Sequence, residues 1–291
     1  MGKATPGVLY LCPTPIGNLE DITLRVLRIL KEADYIAAED TRVTKKLLNH
    51  YGINTPLVSY REHNKEKMGR KIVKDILEGK SVALVSDAGT PGISDPGEDL
   101  IKKAIDAGIR VVPLPGPSAV ICAVSASGLS TSKFAFEGFL PQKATERRKQ
   151  LEKLRDEKRT IVLYEAPHRL LKCLSDIRDI LGERKIAVAR EMTKLHEEFF
   201  RGTVSEAINR FESTPPRGEI VLVIEGTGLK TEETKKAENL SEQEDINKII
   251  LQEVERRIRS GMDKKEAMKA VAKEFSIPKR QLYKVLLENE K

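Results

Sequence analysis

Cysteine and histidine are scarce in this chain, and long apolar runs are missing. The three cysteines, Cys12, Cys122 and Cys173, are odd in number and far apart. That pattern excludes a disulfide framework and a paired zinc site, and it suits a reducing compartment. The four histidines, His50, His63, His168 and His196, show neither HxxxH nor HxH spacing, so no transition-metal centre is expected. No uninterrupted apolar stretch approaches the roughly 18–20 residues needed to span a bilayer, and Met1–Tyr10 lacks the apolar centre of a signal peptide. A cytoplasmic protein with no membrane partner is the expectation. Neither a GxGxxG turn nor a GxxxxGK[ST] loop occurs, so NAD, FAD and nucleoside triphosphates lose ground as ligands.

What is present is an ordinary globular balance, 40% hydrophobic and 33% charged over 291 residues. That length suggests about two domains. Lys and Arg exceed Asp and Glu by 51 to 44, a formal +7 that tilts mildly toward a polyanionic partner.

Val8–Cys12, Tyr35–Ala38, Leu57–Ser59, Val82–Ser86 and Arg110–Leu114 read as strands, apolar without clean alternation, as in a parallel sheet covered on both faces. Ile22–Ala33, Thr44–His50, Glu66–Glu78 and Glu98–Ala107 carry helical spacing between them. Alternating strand and helix predicts an open α/β sheet, whose right-handed crossovers bring every strand-to-helix loop to one edge. Those loops hold the unusual residues: Cys12–Asn18, Ala38–Arg42, Ser86–Gly97 and Pro115–Ala119. Ligands of open α/β sheets bind at that edge.

Asp87–Gly97 is the most informative loop. It is longer than the usual ~2–6 residues of a βα connection. Its glycines admit close backbone approach, and Asp87 is placed to accept hydrogen bonds from a ribose or an amino group. Asp95 reads as a helix N-cap followed by Pro96 at the first helical position, and a ligand-free βα turn is the plainer alternative. Glu39-Asp40-Thr41-Arg42 packs opposite charges at a strand end, although Asp40 or Thr41 also suits a simple cap. Glu165-Ala166-Pro167-His168-Arg169 places bases at a helix start against the macrodipole, which calls for an anionic neighbour or another positive reason. Arg190, Glu191 and Lys194 lie at another strand end.

A second α/β block is predicted from near Phe134. Its strands are Phe134–Phe139, Thr160–Tyr164, Lys185–Arg190, Glu197–Thr203 and Ile220–Ile224, and its helices Glu146–Glu157, Arg169–Leu181 and Val204–Phe211. The charged, aromatic Glu197–Thr203 fits an antiparallel strand with one wet face. The basic run Lys143–Arg159 reads first as a solvated helix face and second as an RNA-tracking surface. The expected division is residues 1–117 and 118–229 as two α/β domains, 230–243 as a charged linker and 244–291 as a small helical domain. There Ser276-Ile277-Pro278 separates two helices, and Lys279, Arg280 and Lys284 form a basic face.

The segments LYLCPTPIGNLEDITLRVLRILKEADYIAAEDTRVTKKLL, LVSDAGTPGISDPG, PLPGPSAVICAVSASGL, EGFLP, YEAPHR, AREMTK and FFRGT occur in order across Val8–Gly226. Together they resemble the tetrapyrrole methylase (class III methyltransferase) family, and within it the branch that modifies small-subunit ribosomal RNA. The resemblance implies two α/β domains with S-adenosylmethionine in the cleft between them, a homodimer, and 2′-O-methylation of a cytidine in the decoding region of the assembled subunit. Relatives acting on porphyrinoids begin with a glycine-rich GxGxGD-type loop, whereas this chain has PTPIGN, which favours the RNA branch. By motif, Cys12, Pro13, Asp87, Thr90, Ser118, Ala119, Tyr164, Glu165, Ala189 and Ile220 are the expected cofactor contacts. The acceptor ribose is expected among Glu39, Asp40, Arg42, Glu165, His168 and Arg169, with Asp40 or His168 taking its proton. Alternatives are a methyltransferase of the same family acting on a small tetrapyrrole or a protein side chain, and a ribosome-binding protein without catalysis.

Overall fold

The computed structural model describes residues 5, 7–228, 250–254 and 256–275. The chain divides into two units, Met1–Leu229 and Lys230–Lys291. The first contains two five-stranded sheets.

In the first sheet, β1 (Val8–Leu11), β2 (Tyr35–Ala38), β3 (Leu57–Ser59), β4 (Val82–Val85) and β5 (Arg110–Pro113) run parallel in the order β3-β2-β4-β1-β5. The three inner strands are buried at every residue, and the two edge strands β3 and β5 are not. Doubly covered strands need apolar residues on both pleat faces, which explains the unalternating pattern. Helices α1 (Leu24–Glu32) and α2 (Thr41–His50) cover one face with Val26, Ile29, Leu30, Leu47 and Leu48. Helices α3 (Lys65–Leu77) and α4 (Gly97–Asp106) cover the other with Ile72, Ile76, Leu100 and Ala104.

The second sheet contains β6 (Phe134–Phe139), β7 (Thr160–Glu165), β8 (Lys185–Arg190), β9 (Glu198–Thr203) and β10 (Ile220–Ile224), in the order β6-β7-β10-β8-β9. Only β6 and β7 pair in parallel; β10 runs antiparallel to both its neighbours, and β9 is antiparallel to β8 with no fully buried residue. Helices α6 (Ala144–Lys153), α7 (Leu170–Leu181) and α8 (Val204–Ser213) bury one face of this sheet. Helix α5 (Ala119–Ala126) covers the opposite face with Val120, Ala123 and Val124, and Ile16 from the loop after β1 joins that cluster.

Several boundaries differ from the sequence expectation for local reasons. Thr23 caps α1 by accepting from the Val26 amide at 3.2 Å, so the helix starts later than Ile22. Asp40 caps α2 by accepting from the Arg42 amide at 2.8 Å, so that helix starts at Thr41 rather than Thr44. Asp95 lies one residue outside the cap position: Pro96 caps α4, while the Asp95 carboxylate accepts from the Gly97 and Gly92 amides and ties the loop to the helix. Helix α6 stops at Lys153 instead of Glu157, because the chain turns and Glu157 clasps the Arg159 guanidinium and amide.

That basic run is also not a free surface throughout. Arg147 is buried and donates to Asp176 at 2.7 Å, and Arg148 donates to the same carboxylate at 2.5 Å. A buried guanidinium needs a carboxylate partner, so Arg147 holds α6 on α7 and is removed from the RNA-contact candidates.

In the second unit, Ile250 and Val254 pack with Met268, Val271 and Ala272 of a helix over Lys264–Glu274. The expected linker at 230–243, the break at Ser276-Ile277-Pro278 and the basic residues Lys279, Arg280 and Lys284 lie outside the described residues. Among the described residues no helix is long and apolar enough to cross a membrane.

The Arg147–Asp176 pair makes a stability prediction. Asp176→Ala strands a buried cation and should cost about 3–5 kcal/mol. Arg148→Ala removes a half-exposed partner and should cost far less. Urea unfolding of both variants checks the difference.

Candidate functional site

All the βα loops of the first sheet leave its carboxyl edge, and two of them are joined by backbone. The Thr14 amide donates to the Gly89 carbonyl at 2.9 Å and the Gly89 amide returns to Thr14 at 3.0 Å, an isolated antiparallel bridge. The Thr14 hydroxyl adds a bond to the Ser86 carbonyl at 3.1 Å. Gly89 has φ +80°, a left-handed conformation that costs glycine little. The Thr90 hydroxyl donates to the Pro117 carbonyl at 3.0 Å, linking the loop after β4 to the loop after β5. Gly116 in turn lies on the Pro13 ring, where a Cβ would come within 2.6 Å.

These loops form one wall of a cavity of about 440 Å³, within the range of about 300–1,000 Å³ usual for small-molecule sites. Ile16, Glu39, the segment Ser86–Thr90 and Ile93–Asp95 line that wall. The other wall comes from α5 (Ser118, Ala119), from the ends of β6 and β7 (Phe139, Tyr164 to Pro167), and from Met192 and Gly218–Val221. Ser118 caps α5 without using its side chain for the cap.

Seven expected cofactor contacts therefore line one cavity: Asp87, Thr90, Ser118, Ala119, Tyr164, Glu165 and Ile220. Three do not reach its surface. Cys12 is fully buried, and burial pushes its thiol pKa up. Pro13 supports the wall through Gly116, and Ala189 is buried beneath α5.

The acceptor-side residues separate. Glu39 lines the cavity; burial first, and then the nearby Asp87 and Asp95 charges, hold its carboxyl above the ordinary value. Asp40 donates its amide to Asp87 at 2.8 Å, and its carboxylate clasps Arg42 and meets Arg61 at 3.3 Å. Hydrogen bonds from Arg42 keep Asp40 well below the usual carboxylate range, which makes it a weak proton acceptor. Arg42 lines a separate shallow groove with Lys45 and Asn49. His168 is exposed in a short 3-10 turn, Pro167–Arg169.

Glu165 reaches the cavity at the end of β7, but it follows Ile161 and Leu163 on the helix-covered pleat face. Its carboxylate meets Arg169 at 3.2 Å and accepts from the Ala166 amide at 2.8 Å. Arg169 donates to the Leu140 and Pro141 carbonyls. That is the positive reason for a base at this helix start: it joins the β6–α6 turn to β7. Glu165 Oε2 and Arg169 Nε have no hydrogen-bond partner among the described residues.

Sequence reasoning missed Met192, Gly218 and Glu219 as lining residues. A backbone signal marks their neighbourhood. Among the described residues the non-glycine residues with positive φ are Ser94, Glu191 and Thr193; the first lines the cavity and the others flank Met192. Such strain persists where surrounding contacts over-determine it, often at functional sites. Here the Glu191 carboxylate accepts from Lys194 and from the Glu219 amide, which lowers its pKa. Among the described residues no group of three or more His, Cys, Asp or Glu is placed to hold a metal.

A family model described as tetrapyrrole (corrin/porphyrin) methylases matches residues 8–208. The chain belongs to the tetrapyrrole methylase family. It is 51% identical to a relative from Halalkalibacterium halodurans over 96% of this chain and 94% of that one. It is 50% identical to one from Bacillus subtilis over 97% and 94%. Both relatives are named ribosomal RNA small subunit methyltransferase I. Among solved structures, the methyltransferase CobJ superposes with a TM-score of 0.58 at 19% identity, covering 76% of this chain and 94% of that one. A cobalt precorrin-4 methyltransferase gives 0.56 at 20%, covering 75% and 95%. At those identities the likeness carries the tetrapyrrole methylase fold alone, two α/β sheets with flanking helices.

The tight approach of the loops makes the second prediction. Gly116→Ala drives a methyl into the rigid Pro13 ring and should cost about 1–3 kcal/mol by overpacking, measured as a fall in unfolding midpoint.

Proposed function

We propose that this protein transfers a methyl group from S-adenosylmethionine to the 2′ oxygen of a cytidine ribose in the decoding region of small-subunit ribosomal RNA. The reading extends to a cytoplasmic homodimer acting on the assembled subunit, with residues 1–117 and 118–229 as the two lobes of the site. The observation that carries it is the acid-walled cavity at the carboxyl edge of the first sheet. It lies in a chain about half identical, over nearly its whole length, to relatives named for small-subunit ribosomal RNA methylation.

The residues present fit this cofactor. The cavity is of drug-like size, mixes apolar Ile16, Met192, Ile220 and Val221 with polar groups, and carries Glu39, Asp87 and Asp95 on one wall. Carboxylates there complement a ligand bearing a sulfonium and an ammonium. When bound, S-adenosylmethionine supplies an electrophilic methyl group that needs no metal. The chain's contribution is to hold the acceptor in line with that methyl and to keep water out, the positioning that turns a bimolecular step into an effectively unimolecular one.

A ribose hydroxyl is a weak nucleophile and gains from a base. Glu39 suits that role better than Asp40 or His168. It lines the cavity, and its burial beside Asp87 and Asp95 favours taking up a proton, whereas the Asp40 charge is held by Arg42 and Arg61. Sequence selection is expected to act on a splayed nucleotide, since the major groove of A-form RNA is too narrow to read.

Mass-spectrometric mapping of ribose methylation in ribosomal RNA, with and without this protein, tests the reading. Loss of one 2′-O-methylcytidine in its absence is the expected result; an unchanged map, or label passing only to small tetrapyrroles or protein side chains, overturns it. Asp87→Ala should weaken S-adenosylmethionine binding about tenfold or more in calorimetry, the order implied by one hydrogen bond to a charged group.

Glu39→Gln should lower the transfer rate at saturating substrates by about 10²-fold or more. In the unsubstituted protein the rate should rise with pH as Glu39 ionises and then level off. Because burial raises its pKa, that limb lies at higher pH than for an ordinary glutamate, and it should vanish in Glu39→Gln. Full rate with the limb intact in that variant would return the base assignment to other residues.

A further inference from the structure

The EGFLP segment lies at the rim of the cavity, and the fold goes out of its way to place it there. Phe136 and Phe139 are three residues apart, so in a regular strand they would point to opposite faces. The register of β6 on β7 shifts between Phe136 and Gly138: Phe136 pairs with Val162, Gly138 with Leu163 and Phe139 with Tyr164. Glu137 is the extra residue of a bulge, and Gly138 adopts φ +64° to close it. The bulge therefore turns Phe139 onto the same face as Phe136, Val162 and Tyr164, the face that borders the cavity.

The rings form a stepped series. Phe136 meets Tyr164 at a centroid distance of 5.0 Å, and Phe139 meets the same ring at 5.3 Å. Phe136 and Tyr164 are partly buried, whereas Phe139 is 56% exposed although it lines the cavity. Ile93 from the loop after β4 also lines it and is 47% exposed. The two segments touch: the Ser94 hydroxyl lies where a Gly138 Cβ would meet it at 3.3 Å, and Ser94 holds a left-handed φ of +62° to reach that place. A strained loop and a bulged strand thus converge to present one aromatic and one aliphatic side chain, half open, at the mouth.

We infer that Phe139 and Ile93 form a stacking site for the nucleobase of the acceptor nucleotide, extruded from its helix so that its ribose enters the cavity. This rests on the RNA-methylating reading above and adds to it a subsite for the base. A cofactor held in a pocket loses most of its surface to it, so its contacts are expected deeper in the cavity. Side chains that keep half their surface open suit a planar group that remains attached to a larger molecule outside. Unstacked RNA bases are held in this way on aromatic side chains.

The test compares Phe139→Leu, Phe139→Tyr and Ile93→Ser in methyl transfer to small ribosomal subunits isolated from cells lacking this protein. Loss of one base-stacking contact corresponds to about five- to 150-fold in binding. Phe139→Leu should raise KM for subunits by that order, Phe139→Tyr should restore it, and Ile93→Ser should raise it less. Affinity for S-adenosylhomocysteine, measured by calorimetry, should be unchanged in all three. Unchanged KM in Phe139→Leu, or no rescue by Phe139→Tyr, overturns the stacking role. Weakened S-adenosylhomocysteine binding assigns Phe139 to the cofactor and overturns it as well. If the unsubstituted protein itself transfers no methyl to the subunits, the functional reading fails and the subsite with it.

Discussion

The site depends on the two-way backbone bridge between Thr14 and Gly89. Loops after separate parallel strands are free to diverge, because neither has a ladder partner beyond the sheet edge. Here the chain gives each loop a partner: one amide in each direction, the Thr14 hydroxyl on Ser86, and Thr90 on Pro117. The wall built in this way is tied together by backbone hydrogen bonds and two threonine hydroxyls.

The same wall concentrates negative charge in a protein whose net charge is positive. Glu39, Asp87 and Asp95 lie within interaction distance, and burial first and then these neighbouring charges raise the Glu39 pKa. Asp95 is stabilised by two amides and Asp87 by one, whereas for Glu39 the Asp87 amide and the Arg61 charge only partly offset burial and the neighbouring carboxylates. A cluster of this kind has its lowest energy with a cation bound against it. Neighbouring Arg42 and Arg61 hold the Asp40 charge, while burial holds the carboxyl of the adjacent Glu39 above its ordinary value.

Much of the first sheet was legible in the sequence. Unbroken apolar runs, helical spacing and glycine- or proline-rich punctuation are local signals, and parallel βαβ units convert them into a predictable ligand edge. The identity of seven cavity-lining residues followed from their motifs. Legibility declined in the second sheet. Met192, Gly218 and Glu219 come together because β10 inserts between β7 and β8 in antiparallel register, and no local pattern encodes that pairing. The direction of Glu165 was equally hidden: its motif marked it as reactive, while strand register turns its carboxylate toward Arg169 and the helices. Arg147 looked like solvated charge because composition does not show that Asp176 on another helix faces it.

By itself the sequence determined the class of fold, the sheet edge that borders the cavity, and the family, since these follow from periodicity and contiguous motifs. Tertiary structure decided which side of each strand its charged and aromatic residues occupy. The bulge at Glu137–Gly138 turns Phe139 to the cavity, and the end of β7 brings Glu165 to the cavity while its carboxylate meets Arg169. A strand's side chains alternate with period two, so a one-residue shift in pairing reverses every face. That pairing is set by hydrogen bonds to strands distant in sequence.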